Sequence, residues 1–211
     1  MNFNVDVNIE EIQERLGDFK QKAPRVLCNS VNDTAKDARK LLAKQAREVY
    51  AVKSNKFQKN MTLKKAKPSN TVAVIKSKGK QMELIDFKTN PTKKTKVDST
   101  KAKVFASGQM KNLIKSGADH NGKDLKAFIV KYQSGHVTVA SRVPGETVTR
   151  EIQGRNGNTY RVEADKIKSM SALAIPQMLK NKSKVYNEVK PMINRRMRVH
   201  LERHIERALR T

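Results

Sequence analysis

Residues 24–50, PRVLCNSVNDTAKDARKLLAKQAREVY, decide the fold, because they read as one long amphipathic helix. Pro24 suits a first helical turn, where a missing backbone N–H removes no helical hydrogen bond. Leu27, Val31, Ala35, Ala38, Leu42, Ala46 and Val49 then recur at steps of three or four and form one apolar stripe. The alanines let another element approach the backbone closely, while Lys36, Arg39, Lys40, Lys44 and Arg47 fall on the other faces. Nothing on the stripe can do chemistry, so this helix is expected to be scaffold. Cys28 is the only cysteine; it excludes an internal disulfide and a Cys-rich zinc site, and is expected to be a small buried residue.

Upstream, Phe3, Val5 and Val7 alternate with polar residues as a short strand would. Asn8 then stands as a helix cap with Glu11 three residues on, and Ile9, Ile12, Leu16 and Phe19 line one side of a helix ending near Lys20. Two helices joined by so short a link should pack as an antiparallel or crossed pair.

Downstream, residues 51–68 are lysine, serine, asparagine and glutamine around Phe57, Met61 and Leu63, and read as an arm. Segments 71–75 and 82–87 read as strands paired across the SKGK turn at 77–80, 88–103 as a loop, and 104–106 as an edge strand. Met110, Leu113 and Ile114 fit one helical turn. The strongest strand patterns are 127–132 and 136–142, joined at Gln133, Ser134 and Gly135, followed by 148–152 and 159–162 around the Asn156-Gly157 turn signal. A mostly antiparallel sheet is expected.

From Met170 the pattern turns helical, with Pro176 opening one helix and Pro191 opening or kinking a second. Val189, Ile193, Met197, Leu201 and Ile205 form a four-step stripe that must bury itself on the body or on a neighbouring subunit, and they are assigned to oligomer or partner packing. A chain cut at Pro191 is then expected to fold but to fail in assembly. The expected fold class is α+β: an N-terminal helix pair on a mostly antiparallel sheet, with long C-terminal helices and basic extended arms. The core domain is placed at 1–175, with arms at 51–70 and 88–103, and a basic helical arm at 176–211.

Charge narrows the function. The 211 residues hold 45 Lys plus Arg against 20 Asp plus Glu, a formal +25, which repels itself unless an anionic partner lies nearby. Nucleic acid, an acidic protein surface or an anionic membrane would each serve. Between Glu48 and Glu83 there is no acid, only lysines, whose point charges suit sequence-independent attraction better than bidentate recognition. Lys53, Lys56, Lys59, Lys64, Lys65 and Lys67 are therefore assigned to nucleic-acid or partner contact, with Arg195, Arg196, Arg198, Arg203 and Arg207 of the last helix. The alternative is a solvated loop.

Catalytic readings are weaker. His200 and His204 share a helical face in HLERH, but Glu202 falls off that face and no third metal ligand is evident. Asp86-Phe87-Lys88 and Asp124-Leu125-Lys126, the latter preceded by Asp98 and Asp119, have the acid-x-Lys form of metal-dependent nucleases. The first lacks an upstream second carboxylate to hold a metal on a scissile phosphate, since no acid lies between Glu48 and Glu83, and the second sits in a loop rather than on a strand. There is no Gly-x-Ser-x-Gly elbow, phosphate-binding loop or dinucleotide fingerprint. Neither an enzyme, a cofactor nor a bound metal is expected. The opening MNFNVDVNIEE lacks a basic segment followed by an apolar one, and no run is long enough to span a membrane, so a cytosol-like compartment is expected.

In order along the chain, Pro24 with Asn29, Ala35, Ala38 and Arg39, then Leu63-Lys64-Lys65-Ala66, Ala127-Phe128-Ile129, Gly135-His136-Val137, Arg142-Val143 and Ile175-Pro176 resemble the minor tail protein Z family of long-tailed bacteriophages and prophages. Residues 144–162 depart from that pattern as an added hairpin. The resemblance implies a structural virion protein, assembled in the host cytoplasm, that completes the tail at its head-proximal, neck end. It further implies packing against tail terminator, tape-measure or head-completion proteins, a homo-oligomeric ring, with sixfold symmetry the guess, and nonspecific contact with DNA in the channel. The other classes are a cytosolic nonspecific nucleic-acid-binding accessory protein and a metal-dependent nuclease.

Overall fold

A computed structural model describes residues 9–53, 56–94, 99–118, 122 and 124–210, and its fold is α+β. The strand expected at 3–7 and the Asn8 cap lie outside the described residues. The chain forms two compact units, one of Met1–Tyr50, Ser54–Lys80 and Leu173–Thr211, the other of Ala51–Lys53 and Gln81–Ala172. This differs from the expected division at 175, because the last helices share a core with the first ones.

In the first unit, α1 (Ile9–Leu16) leads through a 3-10 turn at Gly17–Lys22 into α2 (Ala23–Val49). Gly17, at φ +52°, supplies the left-handed step that turns the chain there. Short α3 (Lys56–Lys59) precedes the hairpin of β1 (Met61–Lys64) and β2 (Val74–Ser77). Then α4 (Ile175–Leu179), with proline in its first turn, and a π turn at Lys182–Tyr186 lead into α5 (Asn187–Leu209).

Helix α2 buries a broader face than its apolar stripe suggests. Ser30 and Thr34 are buried beside Leu27, Ala38, Leu42 and Ala46, while Val31, Ala35 and Val49 lie at the edge. The two hydroxyls belong inside because each donates to the carbonyl four residues back, to Val26 at 2.8 Å and Ser30 at 2.7 Å. Cys28 is buried too.

Helix α5 runs antiparallel on α2, as the contacts of Asp37 with His200 and of Asp33 with His204 require. Ile12, Leu16, Ala23, Val26, Leu27, Met197 and Ile205 form one core, with Leu201 packed at its margin. Val189 and Ile193 are buried as well. The α5 stripe is therefore spent on the chain's own body, and its assignment to oligomer or partner packing is corrected. Truncation at Pro191 would remove Met197 and Ile205 from the core rather than leave a folded body. Pro191 lies inside α5, with buried Val189 and Ile193 on either side holding the helix across the lost N–H.

The arm expected over 51–70 is mostly structured. Phe57 and Met61 are buried, and β1 pairs with β2, Met61 opposite Ser77 and Lys64 opposite Val74. The expected pairing of 71–75 with 82–87 is thereby replaced, since the apolar residues after Tyr50 are themselves a strand partner.

In the second unit, β3 (Gln81–Glu83) is followed by a 3-10 turn at Leu84–Asp86, where a longer strand was expected. β4 (Lys88–Asn90), β5 (Lys101–Lys103) and β6 (Lys111–Asn112) form an antiparallel sheet through what reads as loop. Buried Thr89 and Ala102, directly opposite each other, are the small inward residues that a lysine-rich stretch hides from pattern reading. β7 (Ile114–Ala118) pairs with β8 (Asp124–Lys126), replacing the helical turn expected at Met110, Leu113 and Ile114.

β9 (Phe128–Lys131), β10 (Val137–Gln153) and β11 (Thr159–Ser169) form the antiparallel sheet expected there, with Val139 opposite Ile129 and Ile152 opposite Tyr160. The two expected strands at 136–142 and 148–152 are one continuous β10, with an irregularity between Arg142 and Thr147 at the Pro144-Gly145 step. Beyond Arg142 it pairs with β11 alone, forming a two-stranded ribbon closed by a turn with Gly157 at φ +79°. Ser171–Ala174 is a further strand where helix was expected.

Candidate functional site

The lysine-rich segment of the first unit is held to α2 by side chains of that helix, Asn32 foremost. The Asn32 amide donates to the Ala66 carbonyl at 3.1 Å, and the Ala66 N–H donates back to Asn32 Oδ1 at 2.7 Å. An asparagine can do this because its amide reproduces the donor and acceptor of a peptide group. Cys28 Sγ adds a contact to the same carbonyl at 3.4 Å, and Ala66 is buried. Nearby, Arg39 donates to the Gln58 carbonyl at 3.0 Å, fixing α3 to the same helix.

The consequence is a display of charge on anchored backbone. Lys64, Lys65 and Lys67 flank the buried Ala66 and are exposed, as are Lys59 and Lys76, while Lys56 is half-buried. Lys53 belongs to the second unit, where its Nζ donates to the Ile85 carbonyl at 2.6 Å, so the six assigned lysines are not one group.

The α5 arginines separate into kinds. Arg195, Arg196, Arg198 and Arg207 are exposed. Arg203 instead is engaged within the fold, donating to Asp33 Oδ2 at 2.7 Å and to His200 Nδ1 at 3.0 Å, so it is not a free cation for the nucleic-acid or partner contact assigned to it. Because a guanidinium only donates, His200 Nδ1 accepts, and its Nε2–H is left to donate to Asp37 at 3.0 Å. His204 Nε2 meets Asp33 at 3.0 Å. The acids at 33 and 37 and the histidines at 200 and 204 are matched four-residue steps on antiparallel helices, and together they make a polar seam along the partly exposed edge of the α2–α5 packing. Burial pushes the Asp33 carboxyl up, but hydrogen bonds from Lys36 and His204 prevail and hold it at about 2.

Sequence reasoning missed this seam; the signal was the complementary pair of i, i+4 spacings. It gives His200 and His204 a structural role. Among the described residues no group of three His, Cys, Asp or Glu is placed to hold a metal ion. Asp86 lies in a 3-10 turn, with its carbonyl accepting from the Lys53 N–H, and Asp124 lies on β8 rather than in the expected loop. Asp98 and Asp119 are outside the described residues. No helix among the described residues is long and apolar enough to cross a membrane.

Comparison with protein-family models, curated proteins and solved structures finds no match for this chain. Its function therefore has to be sought in its own surfaces, which differ in charge. The long β10–β11 ribbon is nearly balanced: Arg161 pairs with Glu151 at 3.1 Å and Lys166 with Glu146 at 2.7 Å across the two strands. Ile152 and Tyr160 of the ribbon are exposed to solvent. Of the residues assigned to nucleic-acid or partner contact, Lys59, Lys64, Lys65, Lys67, Arg195, Arg196, Arg198 and Arg207 are exposed on the first unit.

Proposed function

We propose that this protein is a non-enzymatic structural component of a long-tailed bacteriophage virion, a minor tail or tail-completion protein at the head-proximal end of the tail. In this reading it packs as a homo-oligomeric ring against tail terminator, tape-measure or head-completion proteins, and its lysines face the passing genome. The order of residues shared with the minor tail protein Z pattern supports it. The observation that carries it is the clamped Ala66, which presents Lys64, Lys65 and Lys67 on fixed backbone with no nearby acid in sequence. Lysine point charges attract phosphate without the bidentate grip that would stall a moving duplex.

The test is to change Lys53, Lys56, Lys59, Lys64, Lys65 and Lys67 together to Gln in the full chain and to follow folding, particle assembly, infectivity and DNA affinity. The variant should fold, and the slope of log affinity against log salt should become shallower by roughly 0.9 for each phosphate that the missing lysines no longer neutralise. Infectivity should fall more than solubility. Absence of the protein from purified virions, with DNA affinity still reduced in the variant, would instead assign it to a cytosolic nucleic-acid-binding role.

A further inference from the structure

The stripe that α5 buries against α2 leaves a second row of the same helix uncovered. Met192, Arg195, Arg196 and Val199 stand at i, i+3, i+4 and i+7, and with Leu41 of α2 they line a groove of about 410 Å³. Met192 is 42% and Val199 51% exposed, although both are large and apolar. The floor is thus hydrocarbon and the rim is guanidinium. Arg196 leans toward Asp37 at 4.0 Å, a distance too long to be a close charge-assisted bond, and remains more than half exposed.

We propose that this groove docks an acidic amphipathic helix of another protein. Three observations select that occupant. The apolar floor would gain nothing from a nucleic-acid backbone, which is recognised by charge and hydrogen bonding alone. A second copy docked groove to groove would set Arg195 and Arg196 of one chain against those of the other. Last, a groove between two antiparallel helices, two turns long on α5, fits a helix that places one apolar side chain per turn on Leu41, Met192 and Val199. Glutamates beside those side chains would meet Arg195 and Arg196, whose forks recognise carboxylates bidentately.

This groove is independent of the virion reading and uses none of the lysines that carry that reading. A displayed library of helical peptides tests it on the full chain, with Leu, Met or Phe at i, i+4 and i+7 and the surrounding positions randomised over Glu, Gln, Lys and Ser. Selected peptides should be rich in Glu, and scrambling them should lower affinity by about tenfold or more. Met192→Asp with Val199→Asp should abolish binding, and Arg195→Gln with Arg196→Gln should weaken it by about tenfold while leaving the circular dichroism unchanged. Both pairs are on exposed positions, and if the aspartate pair unfolds the protein the glutamine pair still decides. Selection of Lys-rich peptides, equal binding of scrambled ones, or affinity indifferent to these variants would overturn the proposal. So would sedimentation showing a concentration-dependent dimer that Val199→Asp removes, since the groove would then belong to a second copy.

Discussion

Asp33→Asn is the sharpest test of how α2 and α5 are joined. Asp33 receives Arg203 at 2.7 Å, Lys36 at 2.9 Å and His204 at 3.0 Å, and about a quarter of its side chain faces water. Its carboxyl is held at about 2, against an ordinary value of 3.8. A carboxylate depressed in the folded state stabilises the fold above its unfolded value, and that contribution is lost as pH falls through the folded one. The gap between the two values corresponds to about 2 kcal/mol at neutral pH, reduced to about 1–2 kcal/mol by screening at the partly exposed edge. Asn keeps the shape and one acceptor oxygen but carries no charge. Urea unfolding followed by circular dichroism should therefore place the variant about 1–2 kcal/mol below wild type at pH 6–7. The difference should narrow between pH 4 and pH 2 and nearly vanish below that, because the wild-type carboxyl is then protonated too. A gap that stays constant from pH 7 to pH 2 would refute the charge argument and leave only a packing role.

Three further outcomes follow from named contacts. Met197→Ala should lower stability by about 2–5 kcal/mol in urea melts, since Met197 is buried in the α1–α2–α5 core rather than held for a partner. Arg15→Gln should lower it by only about 0.5 kcal/mol, with the loss disappearing in 1 M salt, because the forked pair to Glu202 at 2.9 and 2.6 Å is solvent-exposed on both sides. Asn32→Ala should lower stability by about 1–3 kcal/mol and speed amide hydrogen exchange at Ala66 well beyond the average for β1, which peptide-resolved exchange would report.

The long helices and the β9–β10–β11 sheet were legible because each keeps one period over many residues: three to four for α2 and α5, two for the strands around Val139. The small sheet at 88–112 was not, because its buried positions are Thr89 and Ala102 and the exposed ones beside them Lys88, Lys101 and Lys111, so neither period stands out. The hairpin at 61–77 was hidden for another reason. Its stability comes from a few large side chains, Phe57 and Met61, and from the Asn32 clamp thirty-four residues away in sequence, which no local pattern shows. The site fared similarly. Lys64, Lys65 and Lys67 were identifiable as exposed charge from composition, but the difference between a loose arm and an anchored display lies in contacts with distant residues, that asparagine foremost.

The cations of this chain differ in how they are balanced. An arginine with a planar fork is satisfied by a carboxylate in fixed geometry, and several here find one within the fold: Arg203 at Asp33, Arg15 at Glu202, Arg161 at Glu151. Each such pair depends on an acid that the sequence supplies on the facing element. The lysines from Lys59 to Lys80 lie in a stretch with no acid of its own, and all of them are exposed to solvent. Released counterions then favour a polyanion over any single carboxylate, because the gain scales with the number of phosphates neutralised. Arg195 and Arg196 stand between these cases, being forks at an apolar groove, and their geometry fits a protein helix better than a duplex. One chain thus carries two basic surfaces of different chemistry. Neutralising the lysines should change the salt dependence of DNA binding and leave helix docking intact, while altering Met192 and Val199 should do the reverse.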